Sequence, residues 1–213
     1  MIPTKDEWNG ALSARHGEAL QRTFSSATVA VCGLGGLGSN IAIALARAGI
    51  GKLILIDFDR VDIANLNRQQ YKATQIGTYK TEALCENLQE IAPYVTLEAI
   101  TARMTEDTAA QLLKGKEIDV VCEAFDNAEA KAMLTNAVLE TMPGTFLVAA
   151  SGLAGMGSTN AIQTRRVSSH FYLCGDGTSD VAAAGSLVAP RVMLCAAHQA
   201  HTVLRILAEQ FEA

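Results

Sequence analysis

The residues able to do chemistry begin with a glycine turn. Gly33, Gly35 and Gly38 fit the pattern GxGxxG, directly after the apolar run TVAVC and at the start of a helical pattern. Glycines there allow a tight turn and bring bare backbone N–H groups, aided by the helix dipole, against a phosphate. Asp57 lies 19 residues beyond Gly38 and closes the next apolar run, KLILID, where a carboxylate can accept hydrogen bonds from ribose hydroxyls. Strand, turn, helix and acid in this order indicate a nucleotide site, and leave NAD and ATP both open as its ligand.

The segment that follows separates the two. Asn65, Arg68 and Gln69 cluster just past the carboxyl end of that second strand, the edge at which open α/β sheets bind ligands. Lys80 comes 12 residues after Arg68, early in the next helix, and Asp126 ends the apolar segment 118–125. An Arg, a Lys and an Asp around a nucleotide's phosphates suit phosphoryl or nucleotidyl transfer, with two cations for developing negative charge and a carboxylate for Mg²⁺. Each alone reads as a solvated cation or a helix N-cap; the combination carries the assignment. An NAD-dependent oxidoreductase, the alternative the glycine turn suggests, has no joint role for Arg68, Gln69, Lys80 and Asp126.

The elements that must position these groups alternate. A leading amphipathic helix is expected over 11–24, a strand over 28–32, a helix after the glycines up to Gly49, and a strand over 52–57. Helices over 77–92, 105–114 and 127–141 alternate with strands over 96–102, 118–125 and 145–151. Uninterrupted apolar strands of this kind belong to a parallel sheet covered on both faces. Beyond Ser151 the pattern changes to strands over 155–163 and 167–174 with a turn near Arg165 and Arg166, a polar loop over 175–185, and a closing helix from Val188 to Phe211. The expected fold is α/β: a Rossmann-like doubly wound sheet, mostly parallel in the first two thirds, with antiparallel strands added near the C-terminal third. We read residues 1–213 as a single domain, with its nucleotide-binding part at about 28–151 and the remainder at about 152–213.

Composition narrows the function. Of 213 residues, 49% are hydrophobic and 18% charged, enough apolar material for a substantial core. The net charge of −5 repels a nucleic-acid backbone, so broad nucleic-acid binding is not expected. No apolar stretch approaches the roughly 20 residues of a membrane span, and the first ten residues lack a signal-peptide core, so a cytoplasmic location without membrane association is expected. The five cysteines form no CxxC pair, and Cys174, beside the polar loop, is the candidate exposed thiol. Cys195, His198 and His201 follow an i, i+3, i+6 spacing that reads as packing rather than metal ligation. Arg191 is a candidate to hold an acidic tail beside the loop.

The segments VAVCGLGGLGSN (29–40), LIDFDRVDIANLNRQ (55–69), GTYK ending at Lys80, and EAFDN (123–127) resemble, in order and spacing, the ThiF/MoeB family of ubiquitin-activating-enzyme-like adenylyltransferases. The closing segment GSLVAPRVMLCAAHQAHTVLRIL is similar to the family's last helix, and the CGDG…APRV…AAHQA pattern is most like the shorter ThiF-type proteins of thiamine synthesis. The resemblance implies ATP-dependent adenylation of the C-terminal Gly-Gly carboxylate of a small ThiS-like sulfur carrier, whose tail would lie under a crossover loop at about 175–185. Carried over by motif, Gly33, Gly35, Gly36 and Gly38 shape the phosphate turn, Asp57 holds the ribose, Asn65, Arg68 and Lys80 contact phosphates, Gln69 completes their loop, and Asp126 positions Mg²⁺. The family also implies a homodimer in which an arginine of the amino-terminal helix, Arg15 or else Arg22, completes a neighbouring site, and a desulfurase as sulfur donor. The family's two CxxC zinc pairs are missing here, so no zinc is expected. Relatives acting on a molybdopterin carrier, a peptide or a tRNA-bound carboxylate are the alternatives within the family.

Overall fold

The computed structural model describes residues 2–213. Seven strands form its sheet: β1 (Thr28–Cys32), β2 (Lys52–Asp57), β3 (Thr96–Thr101), β4 (Val120–Glu123), β5 (Phe146–Ala150), β6 (Gln163–Arg166) and β7 (Phe171–Gly175). They lie in the order β3-β2-β1-β4-β5-β7-β6, and every neighbouring pair is parallel except β6 with β7. The expected α/β architecture, parallel first and antiparallel at the far edge, is the one observed. From β1 the chain steps outward to β2 and β3, then returns to the other side of β1 as β4. The strand order therefore reverses between β1 and β4, which opens a crevice at their carboxyl ends.

Alternate residues of the central strands face two separate apolar layers. Val29, Val31, Leu53, Leu55, Val120 and Cys122 pack against α2 (Glu18–Ser26), α3 (Gly36–Ala48), α4 (Lys80–Ile91) and α8 (Ala189–Leu207). Ala30, Cys32, Ile54, Ile56 and Val121 pack against α5 (Glu106–Leu113) and α6 (Ala128–Thr141). Two buried faces explain why β1, β2 and β4 read as continuous apolar runs, whereas the edge strand β3 has only half-buried and exposed residues. The sheet is thus clamped between helices, and its C-terminal edge is a rigid platform.

Three sequence expectations shift. The leading helix is two helices, because Gly17, at φ +91°, caps α1 (Lys5–His16) and opens α2. No strand spans 155–163: that stretch runs through a loop and a 3-10 turn (Thr159–Ala161) before β6. Its carbonyls at Gly157 and Ser158 are taken by the Arg191 side chain instead of a neighbouring strand. The hairpin turn lies at 167–170 rather than at Arg165–Arg166, where the Arg166 guanidinium caps the carbonyls of Ser168 and Ser169. A short helix, α7 (Val181–Ala184), stands in the polar loop.

The packing of α3 on β1 depends on Gly38, since a Cβ there would fall inside the contact radius of the Gly33 carbonyl oxygen. A methyl group has to push the helix off the strand, and overpacking of this kind costs about 1–3 kcal/mol. Gly38→Ala is expected to lower the urea midpoint by that equivalent without changing the slope of the transition.

Candidate active site

The crevice at the strand-order reversal is a cleft of about 840 Å³. Its wall on one side begins with the turn after β1. Gly33 holds φ +89°, and a Cβ on it would collide with the Ala124 carbonyl and the Phe125 ring, so the turn fits against the end of β4 only as glycine. The turn is tied on both flanks. The Leu34 amide donates to Asp57 Oδ2 at 2.6 Å, and the Leu34 carbonyl accepts from the Tyr71 hydroxyl at 2.7 Å. Asp57 Oδ1 in turn accepts from the Asp59 amide at 2.7 Å. Each Asp57 oxygen therefore keeps acceptor capacity for a ligand while bracing the turn.

Gly33, Gly35, Gly36, Asp57, Asn65, Arg68, Gln69, Lys80 and Asp126 all line this one cleft. Gly38 lies beneath it, packing helix on strand. Arg68 packs over Gly36 and donates from Nη1 to neutral acceptors, Asn67 Oδ1 at 2.8 Å and the Ala64 carbonyl at 3.3 Å, so its charge is not paired through those bonds. Lys80 opens α4 with its side chain 7% exposed, and its Nζ sits 3.0 Å from Asp59 Oδ2. One of its three donors is engaged there, leaving two for a ligand. Gln69 is buried, and its Oε1 has no hydrogen-bond partner. A buried acceptor without a partner is costly, and only a hydrogen-bond donor would satisfy it. Asp126 is exposed in the loop between β4 and α6.

Arg15 and Arg22 are exposed on α1 and α2 and do not line the cleft of their own chain; Arg22 lies 3.9 Å from Glu18. Two earlier expectations are corrected. Cys174 is fully buried on β7, and burial pushes its thiol up, because an ionised sulfur there would lose its water. Arg191 is buried as well, and its guanidinium is taken up by Asp176 and three carbonyls, so it does not reach out for a tail. The spaced trio on α8 diverges: Cys195 is buried under the Cys174 carbonyl, His198 bonds Thr164 Oγ1 at 3.0 Å, and His201 is exposed.

Sequence reasoning missed a buried ion pair under the Asp126 loop. Glu123, at the end of β4 and 1% exposed, meets Lys131 of α6, whose Nζ lies 3.1 Å from both carboxylate oxygens and from the Ala150 carbonyl. The Phe125 amide also donates to Glu123. Burial pushes the Glu123 carboxyl up, while Lys131 and that amide pull against it. A charged residue closing an otherwise apolar strand was the available signal. The pair fixes α6 to β4 and β5, and with them the loop that carries Asp126.

A glycine turn at the reversal point of a parallel sheet, with a bracing acid and cations around it, defines a nucleotide-binding α/β protein. Within that class the assignment is direct, because the ThiF family model matches residues 9–212 and the chain belongs to that family. Among curated proteins it is similar to ubiquitin-like modifier-activating enzyme 5 of Bombyx mori, 41% identical over 122 residues, covering 53% of this chain and 31% of that protein. The protein of that name from Caenorhabditis elegans is 43% identical over 122 residues, covering 53% and 29%. The chain thus spans about a third of the length of these relatives. In fold it is similar to E. coli tRNA N6-threonylcarbamoyladenosine dehydratase, TcdA, solved with ATP, at a TM-score of 0.86 and 23% identity, covering 99% of this chain and 98% of that one. E. coli MccB with MccA-N7isoASN gives a TM-score of 0.74 at 20% identity, covering 99% and 68%.

Removing Lys131 strands a buried carboxylate, a change that costs about 3 kcal/mol when the partner is lost outright. Lys131→Met is expected to lose about that much stability at neutral pH in urea unfolding. Burial raises the folded Glu123 carboxyl, and losing Lys131 raises it further, so the deficit should shrink as pH falls toward the ordinary glutamate value of 4.5, through the raised folded-state value above it.

Proposed function

We propose that this chain adenylates the C-terminal Gly-Gly carboxylate of a small ThiS-like sulfur carrier with ATP, releasing pyrophosphate, as a step in thiazole formation for thiamine. The observation that carries the reading is the convergence of Arg68, Lys80 and Asp126 on the same cleft as Gly35. In this reading the N–H groups of the turn and Asn65 receive the phosphates, and Asp57 accepts from the ribose. A carrier carboxylate oxygen forms a bond to the α-phosphorus while the bond from that phosphorus to the bridging oxygen breaks, and the electron pair leaves on pyrophosphate. Both reactants are anions. Arg68 and the two free donors of Lys80 offset their repulsion and stabilise the charge that builds on the transferring phosphorus. The Gln69 amide supplies a further polar contact.

Among the described residues no group of three or more His, Cys, Asp or Glu side chains is placed to hold a metal. A single exposed carboxylate such as Asp126 still fits Mg²⁺ brought in with the triphosphate, since that ion keeps waters and phosphate oxygens as most of its ligands. Mg²⁺ there supplies charge neutralisation of the leaving pyrophosphate. Arg15, exposed on α1, is our candidate to complete a neighbouring subunit's site in a homodimer, with Arg22 as the second choice.

One observation favours a second reading. The likeness to TcdA runs the length of both chains, and a tRNA-bound carboxylate would use the same nucleotide half. The net charge of −5 argues for a protein carrier over tRNA.

ATP–pyrophosphate exchange decides between them. We expect exchange that requires Mg²⁺ and a ThiS-like carrier ending in Gly-Gly, with a C-terminal adenylate on the carrier by mass spectrometry. Exchange driven by threonylcarbamoylated tRNA and by no carrier would reassign the substrate. Lys80→Ala should slow exchange on the order of 10²–10³-fold, the usual effect of removing one transition-state donor, and a near-normal rate would take Lys80 out of the mechanism.

A further inference from the structure

A buried charged pair outside the expected nucleotide contacts joins two segments that line the cleft. Arg191, in the first turn of α8, is 5% exposed on its side chain, and its Nη2 lies 2.5 Å from Asp176 Oδ2. Its remaining donors reach the carbonyls of Ala154 (3.0 Å), Gly157 (2.8 Å) and Ser158 (3.0 Å). Asp176 is equally committed: its Oδ1 accepts from the amides of Thr178 (2.9 Å) and Ser179 (2.8 Å). The backbone repeats the junction, with the Asp176 amide donating to Gly152 O and the Gly177 amide to Ser151 O. A Cβ on Gly152 would collide with Asp176 Oδ1, so the close approach requires glycine at that position.

The segments joined in this way are cleft walls. Ser151, Gly152, Leu153 and Ala154 of the first segment line the cleft, as do Ser179, Asp180 and Val181 of the second. Beyond Asp180 the ties thin out, and α7 with Gly185 is exposed along its length. The far end of this segment is held by the Gly155 amide, which donates to Ser186 O, and by Asn67 Nδ2, which donates to Leu187 O. The loop therefore has a root at 176–179 tied by hydrogen bonds around the buried Asp176 side chain, an exposed tip at 181–185 and a second attachment at 186–187.

We infer that the buried Arg191–Asp176 pair is the anchor that seats the root of segment 176–188 against segment 151–158, and so sets the wall along which the acceptor carboxylate enters the cleft. The two are positioning residues for the acceptor half of the site and leave the nucleotide half untouched. The nucleotide wall hangs from Asp57, Tyr71 and Asp59, none of which touches Arg191 or Asp176 through the bonds described; the halves meet instead at the loop's far attachment, where Asn67 accepts from Arg68 and donates to Leu187 O. Lysine cannot replace Arg191, because one ammonium has three donors and no planar fork to reach Asp176 and three carbonyls together. Burial works against ionisation of Asp176, yet the Ser179 and Thr178 amides and Arg191 outweigh it and hold its carboxyl well below the usual range. The anchor is thus charged throughout the neutral range. This inference rests on the adenylation reading for its functional half only.

The test uses the full chain and two variants, Asp176→Asn and Arg191→Lys, with the double variant. Elastase cuts after small apolar residues, so cleavage within Val181–Ala184 reports the seating of the loop. We expect cleavage at least tenfold faster in either variant, with the double variant no faster than the worse single one, as for two residues acting as one unit. Affinity for ATP, by calorimetry, should change less than twofold. In exchange assays with a ThiS-like carrier, KM for the carrier should rise on the order of tenfold or more, with KM for ATP unchanged. Unchanged cleavage, or ATP affinity lost in step with carrier KM, overturns the anchor role. If neither variant folds, amide exchange in the unmodified protein decides: slow exchange at Thr178 and Ser179 beside fast exchange at 182–184 is expected, and uniformly fast exchange over 177–185 overturns the proposal. Because cleavage and amide exchange need no substrate, failure of the anchor is distinguishable from failure of the adenylation reading.

Discussion

The hydrogen bond from the Leu34 amide to Asp57 Oδ2 is the interaction on which the nucleotide half of this molecule depends. It joins the turn after β1 to the end of β2, two strands that are neighbours in the sheet. With the Tyr71 hydroxyl on the same residue's carbonyl, it fixes one peptide of the glycine turn from both sides. A phosphate-binding turn has to present its N–H groups in a set direction before the ligand arrives, since ordering them on binding would cost affinity. The acid that accepts from a ribose hydroxyl in our reading is the acid that orders the turn, so a single side chain couples the two ends of the nucleotide.

Around that turn, charge is arranged by pairing. Lys80 is steadied by Asp59 and Lys131 by Glu123, while Arg68 rests on neutral acceptors. A cleft that receives two anions, as in our reading, has to hold cations without letting them collapse onto nearby carboxylates. Here the carboxylate next to Lys80 is half exposed and engages one donor, which leaves the lysine directed but not saturated. The deeper pair is different in kind. Lys131 has three acceptors for three donors, so it builds the platform and takes no ligand.

The two halves of the cleft are built by different parts of the chain. The nucleotide half comes from β1, β2, β4 and the segments that follow them, the part of the sequence richest in family motifs. The half that receives the acceptor in our reading comes from the loops around β5 and β7 and the head of α8, tied by Arg191 and Asp176. The ThiF family match spans both halves, residues 9–212.

Much of this was readable in the residues themselves. Continuous apolar strands, glycines at fixed offsets and an acid closing β2 determine a doubly wound parallel sheet with a nucleotide crevice, because strand burial and turn geometry are local constraints that residue types must satisfy. The motif residues Arg68, Lys80 and Asp126 could be named from their order: Arg68 in the segment after β2, Lys80 at the head of the next helix and Asp126 after β4. What the sequence left undecided is what each buried polar group is paired with. Arg191 and Cys174 looked like surface chemistry because they flank a polar loop, and only the tertiary structure shows one locked to Asp176 and the other sealed under α8. Glu123 and Lys131, eight residues apart, meet because α6 folds back across the end of β4. Partner choice for a buried charge depends on which segments the folded chain brings within about 3 Å, and neither spacing nor propensity encodes that distance.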